Sequence, residues 1–291
     1  MAATTSDLSV SAGSDLAKTH VCQTPVMATP QDRDTWDART YGQYTGERSR
    51  PFHDLLARID ATDPRIVVDL GCGSGSGLST MSRRWPRAQL IGVDSSADML
   101  DAARSELGAL ASVRLIQAEA RTWSPEKPID VLVSNALLQW IPEHPDLLSE
   151  IPSWLAPQGW FAMQVPGNFE APSHVLLRQI AGSPQWRERL DGIQRGPGSV
   201  LDAAGYSRIL ADAGLVVDAW ETTYLHVLTG PDPVLRWTSG TALRPVLAVL
   251  SEADAAEFSG QYAELLRAAY PADHAGRVLF PFRRVFAVGH R

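Results

Sequence analysis

A short apolar run, Ile66-Val67-Val68-Asp69-Leu70, leads directly into Gly71-Cys72-Gly73-Ser74-Gly75, and the residues that follow carry a helical pattern. Strand, glycine turn and helix in that order fix the chain direction at one edge of a sheet. The first amides of such a helix have no partner of their own and point at whatever lies beyond the edge. Glycines at 71, 73 and 75 let the backbone take left-handed turns and approach a ligand closely. The expectation is an α/β fold with a nucleotide-like ligand at the carboxyl ends of its strands.

The chain as far as residue 165 fits that expectation. Apolar runs at 90–94, 113–116, 129–133 and 160–165 read as further strands, the last opened by the turn residues Pro157-Gln158-Gly159. Amphipathic stretches at 78–84, 97–107 and 146–155 read as the helices between them. Near-continuous apolar runs suit parallel strands covered on both faces, wound by right-handed crossovers. A helix is expected at 46–59, before this unit. Beyond it, helices are expected at 172–193, 199–213 and 231–270, with strands at 216–227 and 278–288. The helical stretches at 172–213 and 231–271 read as substrate-recognition elements set between the fifth and last strands. Residues 31–291 form the folded domain on this reading, and 1–30 a disordered polar tail.

Two carboxylates narrow the ligand. Asp94 ends the second strand, roughly 20 residues beyond the loop, where an acid can bind a ribose diol. Glu119 ends the third, where it can face the edge of an adenine. The third glycine comes too early for a dinucleotide fingerprint, and no Gly-Lys-Ser/Thr marks a phosphate loop. Acids at the site attract a cationic ligand and repel a pyrophosphate.

Asp69-Leu70-Gly71-Cys72-Gly73-Ser74-Gly75, Asp94 and Glu119 together resemble the class I S-adenosylmethionine-dependent methyltransferases. The resemblance implies a doubly wound, seven-stranded, mostly parallel sheet with one reversed strand. It implies that Asp69, Gly71, Gly73 and Gly75 line the methionine part of S-adenosylmethionine and that Asp94, with Ser95, holds the ribose. Glu119-Ala120 would lie beside the adenine, where the family more often has aspartate, and Asn135 near the cofactor. Segments outside the loop resemble the trans-aconitate 2-methyltransferase branch of that family. They are Trp36-Asp37-Ala38-Arg39-Thr40-Tyr41, Glu47-Arg48-Ser49-Arg50-Pro51, Ser134-Asn135-Ala136-Leu137-Leu138-Gln139-Trp140, Thr222-Thr223-Tyr224-Leu225-His226 and Gly240-Thr241-Ala242-Leu243-Arg244-Pro245. That branch implies transfer of a methyl group to a carboxylate, leaving a monomethyl ester and S-adenosylhomocysteine.

A carboxylic acid is already ionised near neutral pH. No essential general base is therefore expected, and Gln139 and Trp140 are assigned to alignment of the acceptor. A polycarboxylate needs cations and hydroxyls, and the candidates are Arg48, Arg50, Tyr224, His226 and Arg244, with Arg283 and Arg284 behind them. Asn135 is followed by Ala136-Leu137-Leu138 and not by two prolines and an aromatic, which disfavours methylation of base amino groups.

Composition bounds the alternatives. A net charge of −7, from 33 acidic and 26 basic residues, argues against a nucleic-acid partner. No apolar run is long enough to span a bilayer. Cys22 and Cys72 are too few and too differently placed for a disulfide framework, which points to the cytoplasm. No Cys/His cluster has metal-ligand spacing, so no metal is expected. A methyltransferase acting on another small acid and a non-catalytic adenosyl-binding regulator both remain compatible with the sequence. Oligomeric state is not legible in it.

Overall fold

The computed structural model describes residues 45–108 and 112–291, with side chains from Ser49 onward. The expected tail at 1–30, the segment 36–41 and the Arg48 side chain lie outside the described residues. The runs rich in valine and isoleucine form strands, as β-branched side chains favour. In chain order the elements are α1 (Thr45–Leu56), β1 (Ile66–Leu70), α2 (Ser76–Arg84), β2 (Gln89–Asp94), α3 (Ala97–Leu107), β3 (Val113–Gln117) and β4 (Ile129–Asn135). A 3₁₀ turn (Leu138–Trp140), α4 (His144–Trp154), β5 (Leu155–Pro166), α5 (Pro172–Ala181), α6 (Arg187–Leu190) and α7 (Ala203–Asp212) follow. The chain continues with β6 (Val216–Leu228), α8 (Pro233–Ser239), α9 (Arg244–Leu247), α10 (Glu252–Ala269) and β7 (Val278–His290).

The strands form one seven-stranded sheet in the order β3-β2-β1-β4-β5-β7-β6. The pairs among β1 to β5 are parallel, and β7 runs antiparallel between β5 and β6. This is the doubly wound architecture that the sequence implies. Both faces are covered because both are apolar. Val68, Leu70, Ile129 and Leu132 join the core that α4 and α7 close. Val67, Val131 and Val133 join the other, against Leu55 of α1, Leu78 of α2 and Leu100 of α3. The switch between faces follows the two-residue period of a strand, except at Ile129, which lies before the register shift that precedes Val131. Each such side chain stabilises the fold by about 1.5–3 kcal/mol when fully buried.

A third core belongs to the helical insertion. Leu177, Trp186, Trp237, Phe258 and Tyr262 gather on Phe280 and Phe282 of β7 and Leu228 of β6. β7 pairs with β6 over its whole length but with β5 only from Arg284 to His290. The stretch 278–283 therefore runs past β5, and the insertion packs on it.

Three of the expected helices are broken. The first stops at Ala181, with Gly182 as its C-cap, and resumes only as the single turn of α6. The second starts at Ala203, where the Asp202 side chain accepts from Gly205 N at 2.7 Å. The third divides at Gly240 and again at Ser251, whose hydroxyl accepts from Asp254 N at 3.2 Å. Glycine, proline and capping side chains set these boundaries against the apolar period. Pro157-Gln158-Gly159 does not open β5. The strand starts at Leu155, opposite Ile129, and the register shifts before Val131 meets Trp160. Gln158 takes φ 64° there, which makes the segment a bulge within a longer strand. Leu155 and Ala156 are buried on the sheet, which is why pairing begins early.

Candidate active site

The turn after β1 is shaped by three left-handed glycines, Gly71, Gly73 and Gly75, at φ 81°, 51° and 86°. The amides of Gly71 and Cys72 both donate to Val93 O, at 2.8 and 3.0 Å, which pins the turn to the end of β2. A side chain at Gly71 would strike Leu137 at 2.8 Å, whereas one at Gly73 would meet nothing within 4 Å. The first glycine thus lets the loop beyond β4 press against the turn. The second leaves its backbone facing open space. Gly75 caps α2, whose first amides point outward.

Asp94 anchors the far side. Its carboxylate accepts from Gly73 N at 2.8 Å and from Ser96 N at 3.0 Å, one amide on each oxygen. Ser95 is exposed, and its carbonyl accepts from Gln117 Nε2 at 3.2 Å. Glu119 is exposed and Ala120 buried, in the turn after β3 where Thr122 N and Trp123 N donate to Glu119 O. Asn135 ends β4. Asp69 is 3% exposed, and burial, with the Asp94 charge nearby, pushes its carboxyl up to about 7. Burial likewise holds the Cys72 thiol far above its ordinary range, which leaves it inert. The sheet order places all these groups at the carboxyl ends of β1 to β4.

A cavity opens next to them, between the sheet edge and the insertion. Ala136, Gln139 and Trp140 from the loop after β4 line it, with Pro166, Phe282 and Arg284 from β5 and β7. The insertion supplies Phe169, His174, Arg195, Trp237 and Thr241, among others. Among the described residues, its lining contains two arginines and no carboxylate. The Arg195 guanidinium lies 3.7 Å from the centroid of Trp140, and its Nη1 donates to Gln139 O. Arg284 is 9% exposed, and its Nη1 donates to Gln164 Oε1 at 2.9 Å. Burial, then the charges of Arg178 and Arg195, push the His174 imidazole down to about 4, so it is neutral at neutral pH.

A family model described as a methyltransferase domain matches residues 67–159. A Streptomyces avermitilis protein named trans-aconitate 2-methyltransferase is 48% identical over 262 residues, covering 88% of this chain and 97% of its own. One of the same name from Mycolicibacterium gilvum is 48% identical over 254 residues, covering 87% and 98%. The chain belongs to the trans-aconitate 2-methyltransferase family. The YcgJ protein from Bacillus subtilis, at TM-score 0.52 and 16% identity, covers 82% of this chain and 98% of that one, and shows the same fold.

The cofactor of this methyltransferase is S-adenosylmethionine. The residues fit it. A carboxylate offers roughly four acceptor positions. The two backbone amides on Asp94 leave the others for a vicinal diol. The buried Asp69 stands in need of a neighbouring cation, which the ligand carries.

The acceptor candidates read from sequence are scattered. Tyr224 is buried and donates from Oη to Asp54 Oδ2 at 2.5 Å. His226 is buried, with ring centroids 6.5 Å from Tyr224 and 4.5 Å from Trp237. Neither lines the cavity, although Trp237 does. Arg50 is exposed, with its guanidinium 5.2 Å from the Tyr224 centroid. Arg244 starts α9, between the lining residues Ala242 and Pro245 but outside the lining itself. Arg283 pairs with Glu221. Gln139 and Trp140 do line the cavity. Sequence reasoning missed Arg195 and His174. The Gly192-Ile193-Gln194-Arg195-Gly196-Pro197-Gly198 segment carried a signal, since a cation between glycines and a proline marks a shaped loop. Among the described residues, no group of three or more His, Cys, Asp or Glu is placed to hold a metal ion. No helix there is long and apolar enough to cross a membrane.

Proposed function

We propose that this methyltransferase esterifies one carboxylate of trans-aconitate, giving a monomethyl ester and S-adenosylhomocysteine. One observation carries this reading: a cavity lined, among the described residues, by two arginines and no acid adjoins the glycine turn through the loop 136–140. The substrate named for the relatives is a small polycarboxylate, and such a cavity suits it.

The bound cofactor supplies an activated methyl group on a sulfonium. Asp94 accepts hydrogen bonds from the ribose diol, and Glu119-Ala120 sits at the adenine. Asp69 and the turn Gly71-Gly73-Gly75 receive the methionine part. Arg195 and Arg284 hold the acceptor's carboxylates, since guanidinium matches carboxylate with two parallel donors. Trp140 is a platform under Arg195, and the apolar walls at Phe169, Trp237 and Phe282 exclude water from the reacting oxygen. Burial, then the charges of Arg178 and Arg195, keep His174 neutral, so that it donates or accepts without charge. The acceptor is already an anion, so no residue needs to remove a proton. Catalysis is then a matter of proximity and alignment. On this reading the enzyme acts on small molecules, with no nucleic acid or membrane, in the cytoplasm, where the buried free thiol of Cys72 stays reduced.

The test is transfer of labelled methyl from S-adenosylmethionine to trans-aconitate, with cis-aconitate, citrate and itaconate as comparators. A base-labile product formed preferentially from trans-aconitate is the expected result. Cofactor binding with no transfer to any of the acids would overturn the acceptor assignment.

A further inference from the structure

Gln164 is a polar residue where the sheet has no ordinary use for one. Its strand neighbours Phe161, Ala162, Met163 and Val165 are fully buried and apolar, and Gln164 itself is 1% exposed. An amide at that depth is costly unless both ends are paired. Both are. Nε2 donates to Asn135 Oδ1 on β4 at 2.9 Å, and Oε1 accepts from Arg284 Nη1 on β7 at 2.9 Å. Gln164 lies in register with Asn135, while the partner of Arg284 in the pairing is Pro166, two residues on along β5. All three side chains therefore share one face of the sheet, in a row across three adjacent strands.

The backbone of the same residue does a related job. Gln164 O accepts from Ala136 N at 2.9 Å, and Ala136 O accepts from Gln139 Nε2 at 2.6 Å. Ala136 takes φ 57°, a left-handed conformation that a residue with a Cβ rarely adopts. It is held there from both of its backbone polar groups. Gln139 O in turn accepts from Arg195. A continuous hydrogen-bonded path thus runs from Arg284 through Gln164, Ala136 and Gln139 to Arg195, with Asn135 as a branch toward the cofactor end of β4.

We propose that Gln164 is a positioning residue: its single buried amide fixes Arg284 over the acceptor and Asn135 beside the cofactor, and so sets the two halves of the site relative to each other. The proposal rests on the acceptor reading above and deepens it. Gln164 touches neither substrate nor cofactor on this assignment, and its effect on the acceptor passes through Arg284.

A double-mutant cycle tests it. Gln164→Met keeps the length and burial of the side chain and removes both hydrogen bonds. Trans-aconitate binding is measured by calorimetry in the presence of S-adenosylhomocysteine, so that no transfer takes place. Gln164→Met is expected to weaken acceptor binding about tenfold, the loss of one charged hydrogen bond. Arg284→Met should weaken it about a hundredfold. The double variant should match Arg284→Met alone in acceptor affinity, because the amide then has no acceptor-binding group left to position; its bond to Asn135 faces the cofactor end. A purely structural role for Gln164 would instead cost the same factor in both backgrounds, and that result overturns the proposal. Unchanged acceptor affinity in Gln164→Met overturns it as well. If Gln164→Met does not fold, Gln164→Asn keeps the amide but is one methylene too short to reach both partners, and the same non-additivity is required of it. A wild type that binds no trans-aconitate would end the acceptor reading alone. Gln164 is then judged by arginine-detected NMR, in which rotation of the Arg284 guanidinium should be slow in the wild type and fast in Gln164→Met. Equal rates would remove the assignment.

Discussion

The proposed cofactor end and the proposed acceptor cavity share one sheet edge, yet they are built in opposite ways. At the cofactor end, the turn Gly71–Gly75, Asp94 and Asn135 each stand at or just beyond the end of a strand, and short hydrogen bonds from neighbouring residues hold them. In the acceptor cavity, the polar groups come from distant parts of the chain. Arg195 sits in the connection between α6 and α7, His174 in α5 and Arg284 in β7. The first region stands at strand ends that the sequence marks directly, and the second is assembled from segments that only tertiary packing brings together. A ligand common to a whole fold can be served by the first. A particular acid needs the second, because its charges must meet partners spaced to its own shape.

Substitutions at the two regions should therefore separate. The largest effect is expected from Asp94→Ala. Each charge-assisted hydrogen bond lost is worth about 1.5–3 kcal/mol, so the affinity for S-adenosylhomocysteine should fall by roughly a hundredfold or more in a calorimetric titration. Cofactor affinity within a factor of about two of the wild type would remove Asp94 from the site. Next comes Arg195→Ala, which should raise the acceptor KM by about ten- to fiftyfold while leaving cofactor affinity nearly unchanged. If both constants move together, the two regions are not separable in the way described.

The pH dependence gives a subtler separation. Burial, then the Asp94 charge, keep Asp69 protonated up to about 7. A cationic ligand favours the ionised form, so binding expels that proton. Cofactor affinity should accordingly rise with pH through neutrality, by about tenfold from pH 6 to pH 8. Asp69→Asn should flatten the profile, and a slope that survives the substitution would point to another group. The smallest effect is expected from Arg244→Ala. Its neighbours line the cavity and it does not, so the acceptor KM should shift by no more than about threefold. A larger shift would return Arg244 to the acceptor site.

The same division explains what could be read from the sequence. The glycine turn, Asp94 and the parallel strands were legible because they rest on adjacent residues and on near-continuous apolar runs, while the reversed strand was implied by the family resemblance. The boundaries in the insertion were not, since Gly182, Asp202, Gly240 and Ser251 interrupt apolar patterns that look continuous. Tyr224 and His226 were acceptor candidates because a polycarboxylate needs cations and hydroxyls, and both lie in a segment that resembles the family. Their partners, Asp54 and Trp237, are 170 and 11 residues away and appear only on folding. Arg284 carried a stronger signal than its neighbours. It stands next to the run Val285-Phe286-Ala287-Val288, which is buried throughout, and a cation entering such a strand requires a partner.

The reversed strand also sets an order of assembly. β6 has β7 as its partner in the sheet, and β7 is made after every other element described. During synthesis the glycine turn, Asp94 and the five parallel strands leave the ribosome first and can pair among themselves. β6 must wait beside an open sheet edge until β7 slides between it and β5. Only then does Arg284 arrive. A nascent chain of this protein can therefore acquire its methyl-donor platform well before it has any grip on an acid.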